Sequence, residues 1–174
     1  RAFIQPQVLV DAILAKRNLG TSMQDAPAVI ALGPGFTAGV DCHAVVETMR
    51  GHNLGRVYYQ GSALPNTGVP GEIGGFTKER VMHAPAAGTF HSIHHIGDRV
   101  EAGETIALVG NVPVITHISG ILRGILTDGL PVPLGMKCAD VDPRCQPNNC
   151  FTVSDKARSL GGAVLEAMGA LGQL

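Results

Sequence analysis

The sequence predicts an α/β chain of two structural parts with a helical tail, on three observations. An apolar run over residues 27–32 ends in Gly33, Pro34 and Gly35; a 32-residue repeat of glycines and apolar residues occupies 81–142; and apolar residues at three- and four-residue spacing mark the tail. The composition fits such a fold. Hydrophobic residues make up 45% and charged ones 16% of the 174 residues, too apolar for a disordered chain. With 13 Lys+Arg against 14 Asp+Glu, the chain has no basic footprint for nucleic acid or a membrane surface. The uncharged stretch 26–40 is broken by Pro27 and the Gly-Pro-Gly turn, and no transmembrane helix is expected.

The first part, 1–61, reads as an α/β unit. Val8, Leu9 and Val10 start it, and 27–32 forms a buried strand. Residues 41–52 read as a helix with Ala44, Val45 and Met49 inward, and 56–60 as the next strand. Strand, Gly-rich turn, helix and strand together make a parallel crossover. Residues 62–80 have no period and a glycine or proline every few positions, which marks a linker.

In 81–142 a shift of 32 positions lays Gly88 on Gly120, Ile93 on Ile125, Gly97 on Gly129, Val100 on Val132, Gly103 on Gly135 and Ala107 on Ala139 without a gap. Each unit reads as a strand, a Gly-led turn and a second strand, with the two units burying their apolar faces together. The rest, 143–174, holds a Cys-containing loop and a helix. Thr152 and Asp155 suggest its capping box, and Val153, Ala157, Leu160, Val164, Met168 and Leu171 its apolar stripe. Gly161 and Gly162 interrupt that helix, and a close neighbour or a bend would account for them.

The stretches 84–90, 96–106, 117–122 and 128–135 resemble the two halves of a biotinyl/lipoyl-type hammerhead domain. Such domains carry their prosthetic group on a lysine in the turn between halves. Here that turn, 110–114, has no lysine, so covalent biotin or lipoate is not expected. Over nearly its whole length the chain resembles the YqeB family of selenium-dependent molybdenum hydroxylase system proteins, on residues 10–18, 31–36 and 71–75 and the half-repeats. The resemblance implies accessory or maturation work for a molybdenum hydroxylase, with that enzyme or its maturation machinery as partner and no known reaction. The fold then expected is a partial Rossmann-like α/β unit, a barrel-sandwich (hammerhead) β domain and a C-terminal helix. Members begin with a Gly-rich strand and turn that is missing here, so Arg1 is expected to lie inside a longer protein. No signal-peptide run is present, and a cytoplasmic location is expected. A homo-oligomer is compatible with the sequence.

Gly33, Gly35, Phe36 and Thr37 are the candidate cofactor-binding residues. After a strand and before a helix, backbone N–H groups can hold phosphate, here a nucleotide or the molybdenum cofactor. The segment matches no established phosphate-loop pattern, and Pro34 removes a donor, so a plain tight turn stands beside that reading. Cys42 near a predicted helix start is either a lowered-pKa thiol or a buried inert one. Asp41 is expected as the N-cap and His52 as a C-terminal cap. His83 and His117 flank the starts of the two half-repeats, where they could approach each other; for these two and for His91, His94 and His95 the readings are a two- or three-His metal site or solvated, backbone-bonded side chains. Cys138, Cys145 and Cys150 are weak metal candidates, since their spacing fits no zinc knuckle; a Cys145–Cys150 disulfide and plain packing are the other readings. Two other functions remain open: a nucleotide-dependent enzyme using the turn at Gly33–Thr37, and a non-catalytic adaptor docking through the unmodified β domain.

Overall fold

The computed structural model describes residues 4–173. They form two compact units: residues up to Thr67 with those from Val153 onward, and Gly68–Thr152. The architecture is α/β with mixed and antiparallel sheets and, among the described residues, a single α-helix. No helix among them is long and apolar enough to cross a membrane.

The first unit is built on β1 (Val8–Asp11), β2 (Ala28–Leu32), β4 (Ala44–Val46) and β5 (Val57–Tyr58), in the order β1-β2-β4-β5. The first three are parallel, and β5 runs antiparallel to β4. A two-stranded ribbon of β3 (Thr37–Ala38) and β6 (Gly61–Ser62) accompanies them. Strand parity divides β2 cleanly. Val29 and Ala31 pack with Phe36, Ala38, Cys42 and Val45, whereas Ile30 and Leu32 pack with Ala44, Val46 and the tail helix α1 (Asp155–Ala170).

The helix expected over 41–52 does not form. Its centre is β4, whose three residues are buried on both sides of the sheet. A strand covered on both faces is apolar without alternation and cannot be told from a buried helix by period. The β1–β2 connection likewise carries only a short 3₁₀ turn at Met23–Asp25. The helix-containing crossover of a Rossmann-like unit is therefore absent, and α1, from the far end of the sequence, covers the sheet instead. Ser154 caps α1, its Oγ accepting from the Ala157 amide at 3.1 Å, while Thr152 donates to the Asn148 carbonyl. Nothing lies within 4 Å of a Cβ added at Gly161 or Gly162, so no close neighbour explains them.

The second unit contains β7 (Val81–His83), β8 (Gly88–Ser92), β9 (Arg99–Val100), β10 (Thr105–Val109), β11 (Val112–Ile115), β12 (Gly120–Ile125), β13 (Pro131–Val132) and β14 (Lys137–Asp142). The 32-residue repeat is structural: β8, β9 and β10 recur as β12, β13 and β14 in matching register. Val100 pairs with Gly120 as Val132 pairs with Gly88. Phe90 donates to the Leu130 carbonyl and Leu122 to that of Asp98, each at 2.8 Å. The halves thus exchange their short strands, and Phe90, Val100, Val109, Leu122, Val132 and Val141 share one core.

The expected barrel-sandwich hammerhead is not found. The strands form two open four-stranded sheets, β11-β10-β8-β13 and β7-β14-β12-β9, and neither closes into a barrel. Strands β9 and β13, two residues each, are edge strands that pair on one side only. Within 68–80, the buried Arg80 guanidinium donates to the Gly71 carbonyl at 2.9 Å and the Asp140 carboxylate at 2.7 Å, tying that segment to β14.

Candidate functional site

Three parallel strands of the first unit deliver three chain segments to one edge of the sheet, the place where open α/β sheets hold ligands. Beyond β1, residues 12–18 run over the Gly33–Gly35 turn. That approach is close enough that a Cβ on Gly35 (φ +102°) would overlap the Arg17 backbone. Beyond β4 come Glu47 and Thr48, both buried, and a Cβ on Gly33 (φ +89°) would sit 2.8 Å from Thr48 Oγ1. The two glycines are required by packing of protein on protein.

Two amides of this turn are already used. The Gly33 amide donates to the Val46 carbonyl at 2.9 Å, and the Thr37 amide to Asp41 Oδ2 at 2.8 Å. Phe36 is buried in the core, and the Thr37 hydroxyl lies 2.9 Å from that of Ser62. Asp41 caps no helix; it clamps the turn and also accepts from Asn18. The sequence placed the turn at the sheet edge, but the functional groups there come from elsewhere.

Those groups are cationic, and sequence reasoning did not single them out. Lys16 donates to the Asn66 side chain at 3.2 Å, and Arg50 makes a two-pronged pair with Asp155 at 2.7 and 3.0 Å. Lys156, on the first turn of α1, has its pKa lowered by burial and by the positive charges of Arg50 and Lys16, against a smaller opposing pull from Glu47. Both Glu47 oxygens are engaged, by the Met49 amide at 2.7 Å and the Leu64 amide at 2.8 Å. The available signal was Lys16-Arg17-Asn18 directly beyond an apolar strand. Nothing in the sequence showed that residue 156 would join it.

Of the other candidates, His83 and His117 line one hollow of the second unit and the rest stay dispersed. Cys42 is fully buried; burial and the neighbouring Asp41 charge push its thiol up to about 11, which leaves it unreactive at neutral pH. His43 accepts at Nδ1 from the Val29 amide at 3.0 Å and bolts 43 to β2, and His52 is exposed in a turn. Cys138 is buried with its thiol pushed up by burial, Cys150 lies half-buried with Sγ toward the Leu122 carbonyl, and Cys145 is exposed. All four cysteines are free thiols. Among the described residues no three His, Cys, Asp or Glu side chains cluster as a metal site. His91 faces Asp128 at 3.5 Å, His94 faces Glu104 at 3.0 Å, and His95 lies 3.8 Å from Asp98.

No family model matches the chain. Over 165 residues, 95% of the chain, it is 54% identical to "Uncharacterized protein YqeB" of Escherichia coli (strain K12). The chain is homologous to YqeB. It spans 30% of the length of YqeB, and the aligned stretch includes both units described above. Among solved structures, it is similar to a succinylglutamatedesuccinylase/aspartoacylase from Rhodobacter sphaeroides at 24% identity and TM-score 0.34, over 36% of this chain and 21% of that one. The product-bound Ectoine utilization protein EutE (DoeB) from Ruegeria pomeroyi is 14% identical with TM-score 0.32, over 48% of this chain and 27% of its own.

Proposed function

We propose that the chain is part of an accessory protein for molybdenum hydroxylase maturation, and that its first unit holds a phosphate-bearing ligand at the carboxyl edge of β1, β2 and β4. The maturation role rests on the family resemblance carried by residues 10–18, 31–36 and 71–75. The ligand role rests on one observation: Lys16 and the Asp155-paired Arg50 lie beside the half-buried Lys156, whose proton is loosened first by burial and then by those two charges, while both oxygens of the nearby Glu47 carboxylate accept backbone amides. An anion among them would relieve that repulsion. The start of α1 adds partial positive charge at the same edge. A nucleotide and the molybdenum cofactor both belong to this ligand class. The donor set fits a phosphate tail; it offers no thiolate to a metal, because Cys42 is buried and protonated.

The maturation role is tested in cells lacking the full-length protein. Molybdenum hydroxylase made there should contain less cofactor, restored by the wild-type protein and not by a Lys16→Met, Lys156→Met double variant. Normal cofactor content without the protein would reject the maturation role; full rescue by the double variant would reject the sheet edge as its site.

A further inference from the structure

The second unit contains a cavity of about 560 Å³, within the size range of small-molecule pockets. Its polar lining is Lys78, Lys137, His83, His117 and Glu79, with Val81 among the apolar contributors. His83 and Lys137 are direct partners across β7 and β14, so their side chains project from the same face of the sheet. His117 comes from the turn between β11 and β12, and Lys78 from the 3₁₀ turn before β7. Four chain segments therefore converge two ammonium groups and two imidazoles on one hollow.

The carboxylates nearby are largely committed. Asp140 receives Arg80 at 2.7 Å and is 3.4 Å from the Lys137 ammonium. Glu79 receives the Thr77 amide at 2.9 Å and the Thr77 hydroxyl at 3.4 Å, and backbone hydrogen bonds hold its pKa below the usual carboxylate range. Glu79 is thus one fixed negative charge beside a basic hollow.

We propose that this cavity binds a small phosphomonoester. The two lysines match the two charges of a phosphate dianion, and its three terminal oxygens accept more of the available donors than the two of a carboxylate. The ester's apolar part lies against Val81. This site is separate from the cationic sheet edge and does not depend on it.

Phenyl phosphate is the probe, titrated into the 174-residue chain while the imidazole NMR signals of His83 and His117 are followed. Both signals should move with one shared, saturable affinity. A Lys78→Ala, Lys137→Ala double variant should weaken binding about tenfold or more. Should that variant fail to fold, His83→Gln should weaken it about threefold or more. Glu79→Gln should strengthen binding, because it removes the opposing charge, and Lys156→Met should leave it unchanged. Stationary His83 and His117 signals, benzoate binding as tightly as phenyl phosphate, or weakened binding in Glu79→Gln would each overturn the proposal.

Discussion

The two units differ in how far their local patterns agree with their folds. In Gly68–Thr152 the Gly-led turns of the repeat occur twice, and both pairs of turn glycines, Gly97 with Gly129 and Gly103 with Gly135, take positive φ. In the other unit each element occurs once, and its central strand β4 is three fully buried residues with no alternation. Repetition made the strand order of one unit readable but not the closure of its sheets, and burial on both faces hid part of the other.

The sharpest way to break the repeat is through its most unequal pair. Gly88 and Gly120 are equivalent by the 32-residue shift, yet their surroundings differ. A Cβ at Gly120 would overlap the Asp142 carbonyl and lie 2.7 Å from Val141 Cγ1, whereas at Gly88 the nearest atom is Val109 Cγ1 at 3.3 Å. Gly120→Ala should therefore destabilise the second unit by roughly 3 kcal/mol or more, and Gly88→Ala by less than about 1 kcal/mol. Urea denaturation of both variants checks this; equal losses would show that the register is not the one described.

A second effect belongs to the first unit alone. The Cys42 thiol is raised from 9.0 to about 11 in the fold, so its contribution is complete below pH 9 and is lost as pH climbs toward 11. The loss should approach roughly 3 kcal/mol, at about 1.4 kcal/mol per unit. Cys42→Ala should flatten the alkaline limb of the stability–pH curve. An unchanged limb in that variant would place the sensitivity elsewhere.

Smaller still is the effect of the helix glycines. With open space at both positions, Gly161→Ala and Gly162→Ala should each stabilise α1 by about 1 kcal/mol. A lower melting temperature in either variant would contradict that geometry.

The legible and illegible parts separate on physical grounds. The strand expected over 27–32 is found as Ala28–Leu32, because a bounded run ending in Gly-Pro-Gly marks its own limit. The turn at Gly33, Gly35, Phe36 and Thr37 was legible as a turn at a sheet edge. Its coverage by the Arg17 backbone was not, since that contact joins segments from different strand connections. Lys156 reaches the edge only because α1 returns to cover β2 and β4, a placement no local pattern encodes. The paired sheets of the second unit followed from the repeat, but a repeat of strands does not specify whether their hydrogen bonding closes into a barrel.

The most direct test of the central claim is calorimetric titration of the 174-residue chain with ATP as the phosphate-bearing probe. Binding should be saturable and salt-sensitive, and Lys156→Met should weaken it about tenfold, roughly 1.4 kcal/mol, in a variant that remains folded. Relieved of a half-buried repelled charge, that variant should be no less stable than the wild type without ligand. No saturable heat with the wild type, or equal affinity in wild type and Lys156→Met, would contradict a phosphate site at the carboxyl edge of the sheet.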